Sequence, residues 1–313
     1  MKNQNLLCAL LYLTVLPSFA ALPESTESPQ AVTVSMRPYK GTRSVVAVKV
    51  NGTGPYDFMV DTGATVTVLD TALFDELGLR GEGTSKVASP AGATIQISSV
   101  AKEVTLDCLS VRNVMVVSME SPMIESDYRT VRGILGENFL RHFDILIDNQ
   151  HRKMTLDAGE GLADSLAGER LPITFAPLPQ GGENTYRPMI SARMQDYGHA
   201  RLLLDSGAAS LVLLQSWNPM KAFGDGTRLR TVNGVMPCES TNDRLFLGKG
   251  TVSDLPMKSC QSATVKPKDS EGILPTAIFK QIFISHAGSY AIINPTQRCK
   301  APQEIAAVTP LSQ

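Results

Sequence analysis

The stretch Tyr56-Asp57-Phe58-Met59-Val60-Asp61-Thr62-Gly63-Ala64 decides the fold, because the chain contains a second copy of it. That copy is Ala200-Arg201-Leu202-Leu203-Leu204-Asp205-Ser206-Gly207-Ala208. In both, an apolar run typical of a buried strand leads into Asp, a hydroxyl residue, Gly and Ala. Such a turn carries one carboxylate at the end of a strand, and its glycine lets the chain reverse sharply without steric cost.

A second pair of matching segments follows each aspartate. Gly133-Ile134-Leu135-Gly136 corresponds to Gly272-Ile273-Leu274-Pro275, and the isoleucine lies 73 residues beyond the aspartate in the first copy and 68 in the second. Each segment leads into a short apolar stretch that favours a helix. Self-similarity over so long a period predicts one structural unit used twice.

The remainder of the chain is typical of a β-rich fold, since short apolar or alternating runs are separated by Gly, Pro, Asn and Asp. Strands are expected at 44–50, 56–60, 111–117 and 144–147. Two short helices are expected, one at 71–77 with Asp70 as its N-cap and one at 137–143.

The domain boundaries follow from the two copies and from composition. We expect an N-terminal lobe at 32–157 with Asp61, a linker at 158–170 rich in Gly, Ala and Asp, a C-terminal lobe at 171–298 with Asp205, and a tail at 299–313.

The first twenty residues have the features of a signal peptide. Lys2 precedes an apolar run that is too short to anchor the chain in a bilayer, and small residues stand at Ser18 and Ala20. We expect cleavage after Ala20, a disordered stub at 21–31 and an exported protein, periplasmic or secreted.

Composition excludes several classes of function. The formal net charge of the 313 residues is −1, with no basic stripe and no second apolar stretch, so neither nucleic-acid binding nor a membrane span after signal cleavage is expected. The four histidines lack metal-ligand spacing, and no metal or other cofactor is expected.

The mature chain would keep four cysteines, an even number that favours disulfides in an exported protein. Cys238 and Cys260 are the expected pair, because both fall between the same two apolar segments. Cys108 and Cys299 would then be bridged to each other or free, and free buried thiols at all four positions are the alternative.

The two aspartate turns indicate a chemistry. Two units packed about a pseudo-twofold axis would bring the carboxylates face to face, and a pair so close cannot both ionise at ordinary pH. The pair would share a proton and a water. The ionised partner takes a proton from the water as the water attacks a peptide carbonyl, and the protonated partner donates to the developing oxyanion.

The two turns, an intervening hairpin and two apolar residues with Gly before a short helix resemble the aspartic peptidases, both the retropepsin type and the two-lobed pepsin type. Ile134-Leu135-Gly136-Glu137-Asn138-Phe139-Leu140 is similar to the retropepsin segment, and the two copies behind a leader resemble bacterial retropepsin-like proteins with both lobes in one chain. The resemblance implies an all-β, bilobal fold of two similar β-barrel-like lobes with short helices. It also implies an aspartic endopeptidase of peptide or protein substrates, able to act as a monomer.

Carried onto this chain, the resemblance makes Asp61 and Asp205 catalytic, with Thr62, Gly63, Ser206 and Gly207 locking the two turns together. It also predicts two flaps, hairpins that cover the site. Their tips are expected at Ser89, Pro90, Ala91 and Gly92 in the first lobe and near Asn233 and Gly234 in the second, with substrate extended beneath them. The loops at 119–130 and 217–227 would shape the substrate pockets.

Three features depart from the family pattern, and the alanines of the two turns support a further expectation. Pro275 stands where the pattern has Gly, so a backbone donor is lost beside the second turn. Residues 84–100 contain no Tyr, unlike a pepsin-type flap, and the stub is too short for an inhibitory propeptide, so no zymogen is expected. Ala64 and Ala208 cannot supply a hydroxyl to the carboxylates, which predicts a pH optimum that is mildly acidic or near neutral.

Two alternatives stay open at this point. Pro275 is compatible with a catalytically weak protein that keeps the fold and binds peptides. A different hydrolase with two carboxylates, such as a glycosidase, is the other. The sequence leaves open the natural substrate and which aspartate holds the proton.

Overall fold

The computed structural model describes residues 31–120, 131–159, 161–175, 186–216, 226–262 and 271–298. Within these ranges the chain is almost entirely β-structure, as predicted. The expected signal peptide and C-terminal tail lie outside the described residues, as do most of the stub and of the two pocket loops. No helix in the described ranges has the length and apolar character needed to cross a membrane.

Eleven strands form in the described part of the first half of the chain, a term used here for residues 32–157. They are β1 (Val32–Ser35), β2 (Arg37–Tyr39), β3 (Arg43–Val50), β4 (Thr53–Val60), β5 (Thr67–Leu69), β6 (Gly83–Ser89), β7 (Gly92–Leu106), β8 (Leu109–Ser118), β9 (Val131–Leu135), β10 (Asp144–Asp148) and β11 (Lys153–Asp157). The four strands expected from the sequence are β3, β4, β8 and β10.

The described part of the second half, residues 161–298, contributes the other strands. They are β12 (Leu166–Ala167), β13 (Leu171–Phe175), β14 (Pro188–Met194), β15 (Gly198–Asp205), β16 (Leu211–Ser216), β17 (Arg228–Thr231), β18 (Gly234–Leu247), β19 (Gly250–Ser262), β20 (Glu271–Pro275), β21 (Gln281–Ser285), β22 (Tyr290–Ile293) and β23 (Thr296–Gln297).

Helices are short. α1 (Thr71–Glu76) begins as predicted, with the Asp70 carboxylate accepting from the N–H of Leu73 at 2.6 Å. α2 (Glu137–Leu140) ends three residues earlier than expected, and its counterpart in the second half is a single 3₁₀ turn, Thr276–Ile278.

The segment expected as a linker, 158–170, contains regular structure in its described residues. It forms α3 (Gly161–Ser165) and then β12, which pairs with β23. The Asp157 carboxylate accepts from the N–H groups of Gly159 at 2.8 Å and Leu162 at 2.6 Å, which satisfies donors at the start of the helix. Leu162 and Leu166, one helical turn apart, are buried at 8% and 1% exposure, and this spacing was the signal for a packed segment.

The internal repeat appears as the same strand pattern formed twice. β4 pairs in parallel with β9, and β5 lies between β9, to which it is antiparallel, and β8, to which it is parallel. β15, β20, β16 and β19 pair in the same directions. Asp61 directly follows β4 and Asp205 is the last residue of β15.

Strands of both halves join in one sheet, in the order β1-β11-β10-β21-β22-β13. β10 and β21 are antiparallel, with Ile145 opposite Ile284 and Ile147 opposite Ile282, and all four side chains are at most 2% exposed. Burial of each stabilises the fold by about 1.5–3 kcal/mol. The sequence predicted two similar units but not this shared sheet, which ties them together.

Candidate active site

The first aspartate stands at the end of a buried strand. Phe58, Met59 and Val60 of β4 are at most 2% exposed, and they carry Asp61 to a position where only 8% of its surface is exposed. The N–H groups of Gly63 and Ala64 donate to Asp61 Oδ1 at 2.9 and 3.0 Å. The turn therefore holds the carboxylate with its own backbone.

The second aspartate is held in the same way. Leu202 and Leu204 of β15 are fully buried, Asp205 is half-buried, and the N–H of Gly207 donates to Asp205 Oδ1 at 2.7 Å. The structure brings the two predicted aspartates together, because their carboxyl groups are hydrogen-bonded to each other.

Four hydrogen bonds join the two turns. The Thr62 hydroxyl donates to the carbonyl of Leu204 at 2.8 Å and accepts from the N–H of Ser206 at 3.0 Å. Reciprocally, the Ser206 hydroxyl donates to the carbonyl of Val60 at 2.9 Å and accepts from the N–H of Thr62 at 3.1 Å. Thr62 is fully buried and Ser206 is 9% exposed, so these bonds form away from water.

The glycines of both turns are required by close contact across the site. A β-carbon on Gly63 would lie 2.6 Å from Asp205 Cγ, and one on Gly207 would lie 2.5 Å from Asp61 Cγ. Each carboxyl group thus rests against the glycine of the opposite turn. No other residue leaves room for this approach.

The electrostatics favour one shared proton. Burial raises the pKa of Asp61 above its ordinary value, although the donors from Gly63 and Ala64 oppose the shift. Burial also raises the pKa of Asp205, and the charge of Asp61 and the hydrogen bond that protonated Asp205 donates to Asp61 raise it further, well above the ordinary value. Two carboxyls in such contact therefore favour holding one proton between them.

An arginine that the sequence did not single out crosses between the turns. Arg43 of β3 donates from Nε to the carbonyl of Gly207 at 2.6 Å, and its charge favours the ionised form of Asp61. The register of the repeat places Arg187 at the same position, because Val45 is opposite Met59 as Met189 is opposite Leu203. Aligning the two copies further upstream was the signal that would have found both arginines.

Two hairpins occur where the resemblance implied flaps. β6 and β7 pair from Gly83 to Ser89, with Ser89 opposite Gly92 and the turn at Pro90 and Ala91. In the second hairpin Thr231 is opposite Gly234, so the turn residues are Val232 and Asn233.

The two hairpin tips are bonded to each other, mainly through Asn233. Its amide nitrogen lies 2.8 Å from the carbonyl of Val87 and 3.1 Å from that of Gly92, and its amide oxygen accepts from the Thr94 hydroxyl at 2.9 Å. The hydroxyls of Ser89 and Thr231 are 2.9 Å apart. This set of contacts, called the tip latch below, joins the two hairpins.

Each tip also packs on the opposite half. Val232 contacts a buried cluster of the first half that includes Met59 and Ile134, and Ala91 contacts a cluster of the second half around Cys238 and Cys260. These two cysteines form the disulfide expected from the sequence, which joins β18 to β19 at the base of the second hairpin. Cys108 is exposed and not in a disulfide among the described residues, and Cys299 lies outside them.

Pro275 is accommodated by a matching change elsewhere. In the first half the N–H of Gly136 lies 3.3 Å from the Thr67 hydroxyl, but the position of Thr67 is taken by Leu211 in the second half. Proline therefore leaves no bond unmade there. β20 keeps its pairing with β15 as far as Asp205 opposite Pro275.

The segment after Pro275 is supported from the first half. The Asn149 amide donates to the carbonyls of Thr276 at 2.9 Å and Phe279 at 3.1 Å. Nothing in the sequence around Asn149 predicts these two hydrogen bonds. No cluster of three or more His, Cys, Asp or Glu suited to a metal ion occurs in the part of the chain that the structure describes.

Comparison with known proteins places the first half in context. Residues 46–139 match the model of a family described as aspartyl protease. This region contains Asp61, the first hairpin and the segment Ile134–Phe139, and its match agrees with the resemblance to aspartic peptidases that the motifs indicated. It ends before the second aspartate.

A retropepsin-like aspartic protease from Rickettsia conorii, known from a crystal structure, matches with 19% sequence identity and a TM-score of 0.32. The match covers 41% of this chain and 93% of that one. No curated protein sequence matches the chain.

Proposed function

We propose that the chain is an aspartic endopeptidase that hydrolyses peptide bonds with a water activated by Asp61 and Asp205. The observation that carries the proposal is the pair itself: two carboxyls shielded from water and hydrogen-bonded to each other, each at the end of a matching strand and each against the glycine of the opposite turn. The family match of residues 46–139 supports the reaction class.

The geometry supports a division of roles. Asp61, which faces Arg43, is the ionised partner and takes a proton from the water as the water oxygen bonds to the peptide carbonyl carbon. Asp205 holds the proton and donates it to the carbonyl oxygen. When the C–N bond of the tetrahedral intermediate breaks, the leaving nitrogen takes the proton from Asp61 and a hydroxyl of the intermediate returns its proton to Asp205, so the pair again holds one proton.

Substrate would bind as an extended strand between the carboxyl pair and the hairpin tips, with its backbone paired and alternate side chains in pockets. Because the tip latch joins the two hairpins, we expect the tips to separate when a peptide binds. We infer cleavage within a chain rather than at its ends, because no charged group that could bind a chain terminus lies free beside the pair among the described residues. Arg43, whose charge acts on Asp61, is already bonded to Gly207.

The experiment is cleavage of a mixed peptide library by the mature protein from pH 3 to 8, read by mass spectrometry. Asp61→Asn and Asp205→Asn should each abolish cleavage while keeping the wild-type circular dichroism spectrum. Asp75→Asn, at an exposed aspartate of α1, is the matched control and should cut like wild type. Peptide that binds to folded wild type and stays intact would instead support the peptide-binding alternative.

We also propose that the enzyme acts after export, on the evidence of residues 1–20 alone. N-terminal sequencing of the protein recovered outside the cytoplasm should begin at Ala21. Recovery of the full-length chain from the cytoplasm alone would contradict it.

A further inference from the structure

A buried acid–histidine pair lies outside the reaction described above and joins the two halves. Glu137 opens α2, is fully buried, and its Oε2 is 2.9 Å from Nε2 of His286, which follows β21 and has a side chain 5% exposed. The ring of His286 stacks on Phe175 with centroids 5.6 Å apart. The imidazole ring is therefore held at one edge by Glu137 and on one face by Phe175.

The contacts of the ring require one shared proton. Nδ1 of His286 is 2.7 Å from the carbonyl of Phe143, which can only accept, so Nδ1 carries a hydrogen. Nε2 then bonds to Glu137 only if one further proton sits on either atom. Without that proton, a ring lone pair would face a buried carboxylate at 2.9 Å.

The pair is a costly way to hold two surfaces together. Glu137 Oε1 is buried with no hydrogen-bond partner in the described part of the chain. An apolar contact of similar size would often stabilise such an interface as well or better. The presence of such a costly polar pair at this contact points to a role beyond packing.

A short route of hydrogen bonds connects the pair to the site. The N–H of Glu137 donates to the carbonyl of Ala64 at 2.7 Å, and the N–H of Ala64 donates to Asp61 Oδ1 at 3.0 Å. Gly136, which precedes Glu137, is pressed against the same turn, since a β-carbon there would lie 2.5 Å from the carbonyl of Val66. A shift of Glu137 would therefore move the Asp61 turn.

Four other charged or titratable groups lie near the pair. Asp61 and Arg141 act on Glu137, whereas Asp144 and His142 lie near His286. Asp144 is already occupied, because it accepts from the Ser285 hydroxyl at 2.9 Å and from the N–H of Ala287 at 3.2 Å.

We propose that Glu137 and His286 are positioning residues for the Asp61–Asp205 pair, and that their one shared proton fastens α2, and through it the Asp61 turn, to the second half of the chain. This inference rests on the function proposed above. Loss of the proton as pH rises would release α2 and misplace Asp61, so activity would fall on the alkaline side for a reason separate from the titration of the two aspartates.

The pKa shifts agree in direction. Burial raises the pKa of Glu137. Burial alone would lower the pKa of His286, but the charge of Glu137 and the hydrogen bonds to Glu137 and Phe143 outweigh it and raise that pKa. A raised pKa means that the stabilisation is complete below the unfolded-state value, about 6.5 for His, and is lost as pH rises through the folded-state value.

The first test is independent of activity. Urea unfolding from pH 5.5 to 9 is measured in the inactive Asp205→Asn background, which prevents self-digestion, alone and with Glu137→Gln added. In the background, the ratio of folded to unfolded protein should fall by up to tenfold for each unit of rising pH, because one proton is lost on unfolding. With Glu137→Gln added, this contribution to the pH dependence should disappear, because the glutamine amide donates to Nε2 of His286 without taking up a proton. Glu82→Gln, at an exposed glutamate, should leave the slope unchanged.

The second test is catalytic and uses the full chain with Asp205 restored. Glu137→Gln should raise the ratio of kcat at pH 8 to kcat at pH 5.5 at least threefold over wild type, with KM within twofold. Glu137→Ala, which cannot make the bond, should lower kcat tenfold or more at both pH values.

The outcomes of the two tests separate the positioning role, the shared proton and the proposed function. A Glu137→Gln pH profile that superimposes on wild type, or a Glu137→Ala variant with wild-type kcat, overturns the positioning role. If wild type cuts no peptide, the proposed function fails. In that case parallel unfolding slopes with and without Glu137→Gln overturn the shared proton as well, whereas a flattened slope upholds it.

Discussion

The Thr62 hydroxyl makes two of the four bonds between the turns, so its removal gives a sharp test of what holds the halves together. Thr62→Val keeps the shape of this fully buried side chain but leaves the carbonyl of Leu204 and the N–H of Ser206 without partners. Each buried unpaired group costs about 1–3 kcal/mol, for a total of about 2–6 kcal/mol. That is a large part of the roughly 5–15 kcal/mol typical of a folded protein.

The assay is urea unfolding at pH 7 in the Asp205→Asn background. Thr62→Ser, which keeps the hydroxyl and loses one methyl group, should cost only about 1 kcal/mol. Thr33→Val removes an exposed hydroxyl bonded to Thr155 and should change stability by less than about 0.5 kcal/mol. If Thr62→Val is no less stable than Thr62→Ser, the hydroxyl bonds do not hold the turns together.

Four other outcomes are expected. Arg43→Gln should move the acidic limb of kcat/KM to higher pH, because the first aspartate loses its cation; an unmoved limb would contradict this. Asn233→Ala should speed amide exchange in residues 87–94 several-fold and leave β10 unchanged, since the tip latch is lost. Replacing Cys238 and Cys260 with serine should cost about 3 kcal/mol, from a loop of 22 residues, as read from thermal unfolding. Asp205→Asn should increase the free energy of unfolding relative to wild type more at pH 7 than at pH 4, because the raised pKa of this carboxyl makes its ionisation costly to the folded state. Denaturant curves at the two pH values would show no such difference if the carboxyl were solvated.

The parts of the site that sequence could predict are those encoded locally. An apolar run, Asp, a hydroxyl residue and Gly specify strand and turn together, and a two-residue break between alternating runs specifies a hairpin. The repeat then added a long-range expectation, that Asp61 and Asp205 hold equivalent positions in the two copies. The aspartyl protease match over residues 46–139 supports the first of these turns independently.

The parts that escaped prediction are contacts between distant segments. Asn149 bonded to Thr276, the pairing of β10 with β21 and the bond from Glu137 to His286 all join residues more than a hundred positions apart. Nothing in the neighbourhood of Asn149 or His286 distinguishes it from any polar residue in a turn. Such contacts become visible only when the halves are placed side by side.

Some divergence between the copies was nevertheless readable as coupled change. In the first half, Asn138 Oδ1 accepts from the N–H and hydroxyl of Thr67 at 2.9 and 2.8 Å. The corresponding residues in the second half are Leu211 and Ala277, both apolar. Buried polar groups need partners, so one of these residues cannot change alone without leaving the other unsatisfied. Pro275 belongs to the same coupled set. It stands at the position of Gly136, whose N–H donates to the Thr67 hydroxyl in the first half, and proline has no N–H to donate.

The same divergence makes the two aspartates chemically unequal. Arg43 and Arg187 hold equivalent register positions, but only Arg43 bonds to the opposite turn, at Gly207. Arg187 instead has a buried Nε without a partner among the described residues, and the charge near it is that of Glu271. One carboxyl therefore faces a cation and the other does not. Because a neighbouring cation favours the ionised form, this difference supports the proposed division of roles, in which Asp205 holds the shared proton.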